Sequence, residues 1–585
     1  MSEEQYFTIL REESPRSIER EFDVSIIRFS LMIPLMTNKS AMKLIDQAPR
    51  KWISVLFAVL SFIVILLMPT PEGTTPEEAA GETETVVEET VVEGMSIEAR
   101  RLAAVTVFMA IFWLTQPVDI AVTSLVPIAF YPLLGILSAA DVSQAYANHN
   151  VFLYLGGFAI AVAIEQCGLH KRMALHIISR VGSQPKQIVF GFMLTSAVLS
   201  MWISNTATTM MMLPIALALL QTLRESVQAS GDVTDTKAVD QLTIPCLLGI
   251  AYAASIGGLS TFVGTPTNVS FLGYWDENFV IDKGYESLSM AEWMVCFVPL
   301  SITLLFIAGL VMTWGIKPLP NAEKLSKAFF RERLAALGKA SRTERRVFTI
   351  FLTTALLWVF RKPLMFESVQ VLPDWPSLII WLGGLCNTNL DFFRTMVQDS
   401  TIAMAMASLL FLIPGEENPN GQRSSILTWE IAEKALPWGM ILLIGSGFAM
   451  AKGFEETKLA DWLGIEFANL FANQSPTVLI LGVCLMVTFL TEFTTNVATV
   501  NTLLPTLAAM SLQLDIDPRM LLIPATVSAS CAFMLPIATP PNAIIFGSGK
   551  VPISSMIRYG ILLNIVGAFL VTAVTLLIAN RVFGF

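Results

Sequence analysis

The sequence predicts an all-α polytopic membrane protein built from two repeats, each holding a re-entrant helical hairpin and a broken helix. Three observations carry that prediction. Charged residues make up only 14% of the 585 positions, against about 25% in soluble domains, and the mean hydropathy is +0.63. A polar motif, Ser200-Met-Trp-Ile-Ser204-Asn205-Thr206-Ala-Thr208 running on to Leu213-Pro214, returns about 290 residues later as Thr491-Glu-Phe-Thr494-Thr495-Asn496-Val497-Ala-Thr499 running on to Leu504-Pro505. Each copy is followed by a second paired motif, Gly264-Thr265-Pro266-Thr267-Asn268 and Ala538-Thr539-Pro540-Pro541-Asn542.

The apolar runs fall at 52–68, 101–116, 121–137, 151–167, 187–203, 242–259, 293–315, 346–360, 397–413, 438–451, 477–490, 519–536 and 556–580. A bilayer core of ~30 Å needs about 20 apolar residues. Several runs are shorter or interrupted by Gly and Pro, which fits re-entrant or broken helices. Segment 374–387 is too short to span and reads as a loop, so the number of crossings between corresponding elements stays open. Inversion of the repeats is therefore an expectation from their type.

The repeat extends beyond the polar motifs. Gly157-Phe158-Ala159 with Glu165 and Leu169 corresponds to Gly447-Phe448-Ala449 with Glu455 and Leu459. The chain divides into an N-terminal extension at 1–50, a first transmembrane helix at 51–68, an acidic linker of disordered composition at 69–98, and a first repeat at 99–320. A basic loop at 321–345, connecting segments at 346–401 and a second repeat at 402–585 follow.

The net charge of −10 is unevenly spread. Segment 72–98 carries nine Glu and no Lys or Arg, whereas 317–346 carries nine Lys or Arg against three Glu. The basic stretch reads as cytoplasmic, and Arg50-Lys51 before the first span place the N-terminus there too. Arg100-Arg101 argue mildly the other way. The N-terminus, acidic before its first apolar run, is no cleavable signal. The six cysteines stand singly in apolar segments and read as buried packing. Nothing in the chain points to nucleic acid, and the absence of HExxH, of a repeated Asp pair and of a Ser/His dyad at the motifs argues against an enzyme.

Hydroxyl and amide side chains inside apolar sequence are costly unless something polar binds them. A lone Ser-x-x-x-Ser or Gly-Gly reads as close helix packing, but packing does not need Asn beside a hydroxyl at matched places in two halves. At a hairpin tip, freed carbonyls with Ser, Thr and Asn oxygens suit a cation such as Na+. The N–H groups at a helix start suit a carboxylate or sulfate. Proline disfavours helix at the residue before it, so Thr265 and Thr539 are expected in unwound stretches, with Asn268 and Asn542 tying the broken ends or acting as ligands. Glu165 and Glu455 read as ion-paired with the nearby Lys171-Arg172 and Lys458, and Lys452 shares a helical face with Glu455. Glu492 reads either as a proton or cation group or as a hydrogen-bond acceptor at the tip. No titratable group repeats in both motifs, which favours a metal cation as the coupling ion.

These paired motifs resemble the divalent anion/sodium symporter family, over roughly residues 100–585, and most closely its bacterial-type sodium/dicarboxylate transporters. The resemblance implies a homodimer of inverted repeats in the cell (inner) membrane, with a scaffold domain and an elevator-type transport domain. It implies one Na+ site at Ser200, Ser204, Asn205 and Gly264 and another at Thr491, Thr494, Asn496 and Ala538. A dianionic substrate would meet Ser204, Asn205, Thr206, Thr495 and Asn496, with Thr265-Pro266 and Thr539-Pro540 nearby. Val497 stands where the family often has Thr, and Thr495 where it often has Ser, which bears on substrate identity. The function so implied is Na+-coupled symport of C4 dicarboxylates such as succinate, malate and fumarate, without an organic cofactor. A dicarboxylate exchanger, a citrate or sulfate symporter of the same fold, and an ion channel are the alternatives.

Overall fold

The computed structural model describes residues 39–67 and 95–584, apart from 182–183, 231–232, 282, 317–321, 367–368, 386–389, 391, 418–422 and 472–473. The predicted N-terminal extension up to residue 38, and the acidic linker from 68 to 94, lie outside the described residues.

Helices dominate. The chain opens with α1 (Lys39–Leu67), α2 (Ile97–Thr115), α3 (Val126–Leu133) and α4 (Ala139–Tyr146). Seven helices then surround the first pair of motifs: α5 (His149–Gln166), α6 (Leu169–Val181), α7 (Pro185–Ser200), α8 (Asn205–Ser230), α9 (Val233–Gly258), α10 (Pro266–Trp275) and α11 (Met290–Thr313). The basic loop holds α12 (Ala322–Ala336), followed by α13 (Arg342–Val359), α14 (Trp375–Leu385), α15 (Asp399–Leu412) and α16 (Trp429–Ala435). Seven more surround the second pair: α17 (Trp438–Glu456), α18 (Leu459–Phe471), α19 (Pro476–Leu490), α20 (Asn496–Gln513), α21 (Arg519–Ala529), α22 (Pro540–Gly547) and α23 (Ile553–Val574).

The sequence punctuates both sets alike. Pro185 and Pro476 open the first hairpin arms, and Pro266 and Pro540 restart the broken helices. At a first helical position a missing N–H costs nothing, and the fixed φ is already helical. Pro214 and Pro505 lie inside the second arms α8 and α20.

Three details differ from the sequence expectation. The chain is not purely helical: β1 (Leu364–Phe366) pairs antiparallel with β2 (Val369–Leu372), and β3 (Pro414–Glu417) with β4 (Arg423–Ser425). Segment 374–387 is not a loop but contains α14, of 11 residues. The apolar flanks of each tip read as helices about half a bilayer long, whereas the arms α7 and α19 have 16 and 15 residues, about 24 Å of rise at 1.5 Å per residue. Among the described residues, five helices are long and apolar enough to cross a membrane, and a sixth span results if α16 and α17, bent by 63°, are taken as one.

The two sets interlock. The restarted helix α10 packs against α20 and α21 of the other set, and α22 packs against α8 and α9. Gly273 on α10 receives the Phe448 ring: a Cβ there would lie 2.1 Å from its Cζ. A large apolar cluster runs through both sets, and a smaller one joins α2 and α3 to α17 and the start of α20.

Candidate functional site

At the first tip, three turn residues and Ser204 separate α7 from α8. Ser204 Oγ accepts from Ala207 N–H at 3.2 Å and starts α8. One terminal atom of the Asn205 carboxamide lies 2.6 Å from Ser200 Oγ, 3.1 Å from the Ala254 carbonyl and 3.2 Å from the Gly264 carbonyl. With nitrogen in that place the amide's two hydrogens are shared among the three acceptors. With oxygen there, Ser200 donates to it and the two carbonyls face it as further oxygens, a set that a cation would bring together favourably. The backbone allows this because Gly258 and Gly264 face each other without side chains. A Cβ on Gly258 would lie 2.6 Å from Asn205 Oδ1, and one on Gly264 would lie 2.6 Å from the Gly258 carbonyl.

The second tip has the same start and a different clasp. Thr495 Oγ1 caps α20 by accepting from Ala498 N–H at 3.4 Å. Thr491, fully buried, shares its one hydroxyl hydrogen between the Val487 and Thr488 carbonyls. Asn496 Oδ1 is buried with no partner among the described residues. Thr494 bonds to Thr499 and to the Leu490 carbonyl within its own hairpin. Glu492 grips the loop after α21: Oε1 accepts from Met534 N–H at 2.8 Å and from Asn564 Nδ2 at 2.7 Å, and Oε2 accepts from Leu535 N–H at 2.8 Å. Of its two sequence readings, the structure gives it the acceptor's role.

The two breaks are built alike. Thr265 has φ −142° and ψ 142°, and Thr539 has φ −140° and ψ 149°, so both are extended as expected. Asn268 Nδ2 donates to the Gly258 carbonyl at 3.4 Å and the Thr261 carbonyl at 2.8 Å. Asn542 Nδ2 donates to the Ala532 carbonyl at 3.3 Å and the Leu535 carbonyl at 3.1 Å. These acceptors are matched positions, so each Asn staples its loop to its restarted helix. Their Oδ1 atoms are buried without partners among the described residues.

Both tips and both breaks reach one cavity of about 1660 Å³. Ser204, Asn205, Thr206, Thr265, Pro266, Thr495, Asn496, Ala538, Thr539 and Pro540 line it. Ser200, Gly264 and Thr491 stand behind that wall, and Thr494 is not on it. The starts of α8, α10, α20 and α22 therefore all face one space. Each brings orphan N–H groups and about half a positive charge, which favours an anion. Elsewhere the wall is apolar around Tyr154, Phe158 and Met440, with charged residues of both signs at Asp119, Glu165, Lys171 and Arg333.

One charged residue pairs differently from the sequence expectation. Arg172 bonds not to Glu165 but to Glu344, at 3.1 Å, because α6 lies against the start of α13. Lys452 reaches across to Asp141 at 3.5 Å. Away from the cavity wall, Asn148 donates to Glu277 and Asn150 to Asp276, each at 3.2 Å, while Lys362 Nζ donates to the Ser287 carbonyl at 2.7 Å. The buried Arg361–Asp399 ion pair adjoins them. Burial pushes the Asp276 carboxyl up to about 6.

Sequence reasoning missed Ala254, Thr261, Gly258, Pro536 and Ile537 as site residues. Thr261 donates to the Met201 carbonyl and accepts from Gly264 N–H at 3.0 Å, so it is the first half's clasp. Phe158 had a signal, the Gly-Phe-Ala repeat, but its counterpart Phe448 turned out to be buried packing. Ala254 contributes only a carbonyl, which no residue type announces.

The family described as the sodium:sulfate symporter transmembrane region matches residues 89–583. The sodium-dependent dicarboxylate transporter SdcS of Staphylococcus saprophyticus is 37% identical over 486 residues, 82% of this chain and 86% of that protein. SdcS of Staphylococcus aureus strain USA300 is 38% identical over the same shares. Among solved structures, Neisseria gonorrhoeae MtrF aligns at a TM-score of 0.48 and 12% identity, over 89% of this chain and 94% of its own. The Alcanivorax borkumensis YdaH transporter aligns at 0.47 and 14%, over 90% and 98%. Those two likenesses are too distant to bear on the fold. The family match and the identity to SdcS agree with the paired motifs, and this chain belongs to the sodium:sulfate symporter family of membrane transporters.

Proposed function

We propose that this transporter carries C4 dicarboxylates such as succinate, malate or fumarate across the inner membrane by symport with Na+. One observation carries the reading: the polar tips and breaks of both sets meet at a single cavity, with four helix starts facing it. One Na+ would be held by Ser200, Ser204, Asn205 and the Gly264 and Ala254 carbonyls. A second would be held by Thr491, Thr494, Asn496 and the Ala538 carbonyl. The SdcS relatives, named as sodium-dependent dicarboxylate transporters, support the same pairing.

A dianion entering apolar surroundings faces a severe desolvation cost. Two cations beside the tips offset that charge, and the N–H groups at the starts of α8 and α20 complete the anion site with Thr206, Thr495 and Thr539. Coupling follows because Na+ selects the oxygen-inward orientation of Asn205 and thereby orders the tip that the substrate meets. The cavity exceeds a small dianion's needs, so it includes the access route as well as the site. The proposal extends to inverted repeats, a homodimer, a cytoplasmic N-terminus, and elevator movement of the tips and breaks as one body against a scaffold.

Asn205→Ala and Asn496→Ala should each abolish Na+-dependent uptake in proteoliposomes while leaving the protein folded and inserted. Unchanged Na+ dependence in both would sink the assignment. Thermal stabilisation by a panel of dianions, each with Na+ and with K+, identifies the substrate, since a ligand at a hundredfold excess over its Kd adds about 2.7 kcal/mol.

A further inference from the structure

We propose that Thr265, Thr267 and Ser530 form a hydroxyl relay linking substrate binding in the cavity to the loop of the second cation centre, with Thr267 and Ser530 as positioning residues. The inference rests on the functional reading above. Thr265 lines the cavity. Its Oγ1 lies 3.3 Å from Thr267 Oγ1, which lies 2.9 Å from Ser530 Oγ. All three residues are buried, and the second contact crosses from one set of helices to the other. Ser530 is the C-cap of α21, at the point where the second broken helix opens into its loop.

The matched positions in the second set show that this arrangement is not a by-product of the helix break. Thr539 Oγ1 caps its own helix, accepting from Asn542 N–H at 3.3 Å. Thr265 makes no such cap; its hydroxyl faces Thr267 instead. The residue matched to Thr267 is Pro541, which has no hydroxyl. The chain of hydroxyls therefore runs one way, from the first break to the second loop.

A hydroxyl has one hydrogen to donate, and an ionised carboxylate only accepts. When a substrate carboxylate takes the Thr265 hydrogen, Thr265 no longer donates to Thr267. Thr267 must then donate to Thr265, and Ser530 to Thr267. Three hydrogens turn in the same sense and no proton leaves the chain. Serial hydrogen bonds polarise one another, so the turn is felt at Ser530. The loop that starts there is fixed by Asn542 and Glu492 and ends at Ala538, the carbonyl assigned to the second cation.

The test uses the purified full chain in proteoliposomes, with succinate uptake measured against Na+ concentration. Thr267→Val and Ser530→Ala should each raise the KM for succinate roughly three- to tenfold, the scale of one net hydrogen bond. Each should also lower the Na+ Hill coefficient, with kcat little changed. The double variant should be no worse than either single one, and Thr267→Ser, which keeps the hydroxyl, should behave as the parent. Wild-type KM and Hill coefficient in both single variants would overturn the relay, as would additive losses in the double variant. A Thr267→Ser variant as impaired as Thr267→Val would overturn it too, since the methyl group and not the hydroxyl would then matter. Should Thr267→Val fail to fold, Ser530→Ala and Thr267→Ser decide the matter. Parent protein without any Na+ dependence would overturn the functional reading and the relay with it, whereas an Na+-coupled parent with unaffected variants overturns the relay alone.

Discussion

At each tip an asparagine faces the cavity, and at each break another asparagine holds the loop, so one residue type serves two ends. Asn205 and Asn496 stand at helix starts, where the proposed cation sites would use their carboxamides. Asn268 and Asn542 spend their nitrogens on carbonyls of the loops they close. The sequence placed all four but left open whether the latter pair tie or ligate, because spacing does not show which way an amide points. Thr265, Thr539 and the tip hydroxyls were legible for a firmer reason: proline after threonine dictates the backbone there. Gly258 belongs to a Gly-Gly pair that in the sequence reads as close helix packing, yet it is the floor beneath Asn205. Gly258→Ala should push the Asn205 amide away from Gly264 at a cost of about 1–3 kcal/mol, in the range of overpacking. The expected outcome is a Na+ half-saturation concentration raised at least tenfold, read by uptake. Normal Na+ affinity in that variant would remove Asn205 from the first cation site.

The hairpins and breaks form the next level, and the two sets clasp them with different chemistry. In the first set the neutral Thr261 hydroxyl joins tip to loop; in the second a carboxylate takes two backbone N–H groups and an amide. Charge-assisted bonds of this kind are about twice as strong as neutral ones. Glu492→Gln replaces one accepting oxygen by a donor that must face another donor, so it should cost about 2–3 kcal/mol of stability. Thermal unfolding should show that loss together with weakened Na+ activation; an unchanged melting temperature would contradict the clasp. Ser–Glu capping boxes at Ser289 and Ser341 open α11 and α13, a pattern the apolar runs alone do not show. The arm-like α6 was not legible in advance, since His170, Lys171, Arg172, His176 and Arg180 hide its apolar face from a hydropathy scan. The two β-hairpins were missed because each strand has only three or four residues, too few to show a period.

Across the whole molecule the two sets of seven helices follow the same order, and the paired motifs at their tips and breaks were legible in the sequence. Their interlock was not, because nothing local tells α10 to pack on α20 or α22 on α8. Such contacts join positions hundreds of residues apart, and sequence periodicity carries only near neighbours. The arrangement makes each half's site depend on the other half's helices. Residues 1–345 expressed alone should therefore be degraded or aggregate, and co-expression with residues 346–585 should restore part of the Na+-dependent uptake. A stable, monodisperse first piece by itself would contradict that dependence.

The same interlock sets a timetable for biogenesis. Ser204 and Asn205 leave the ribosome long before Pro540, whose helix packs beside them. At about 5–20 residues per second, that interval lasts roughly 20–70 s. Throughout it, a polar tip sits in or beside the bilayer without its eventual neighbour. The nascent first half is thus a client for whatever insertion factors shelter unfinished polar segments, and it stays so until nearly the last helix of the chain has been made.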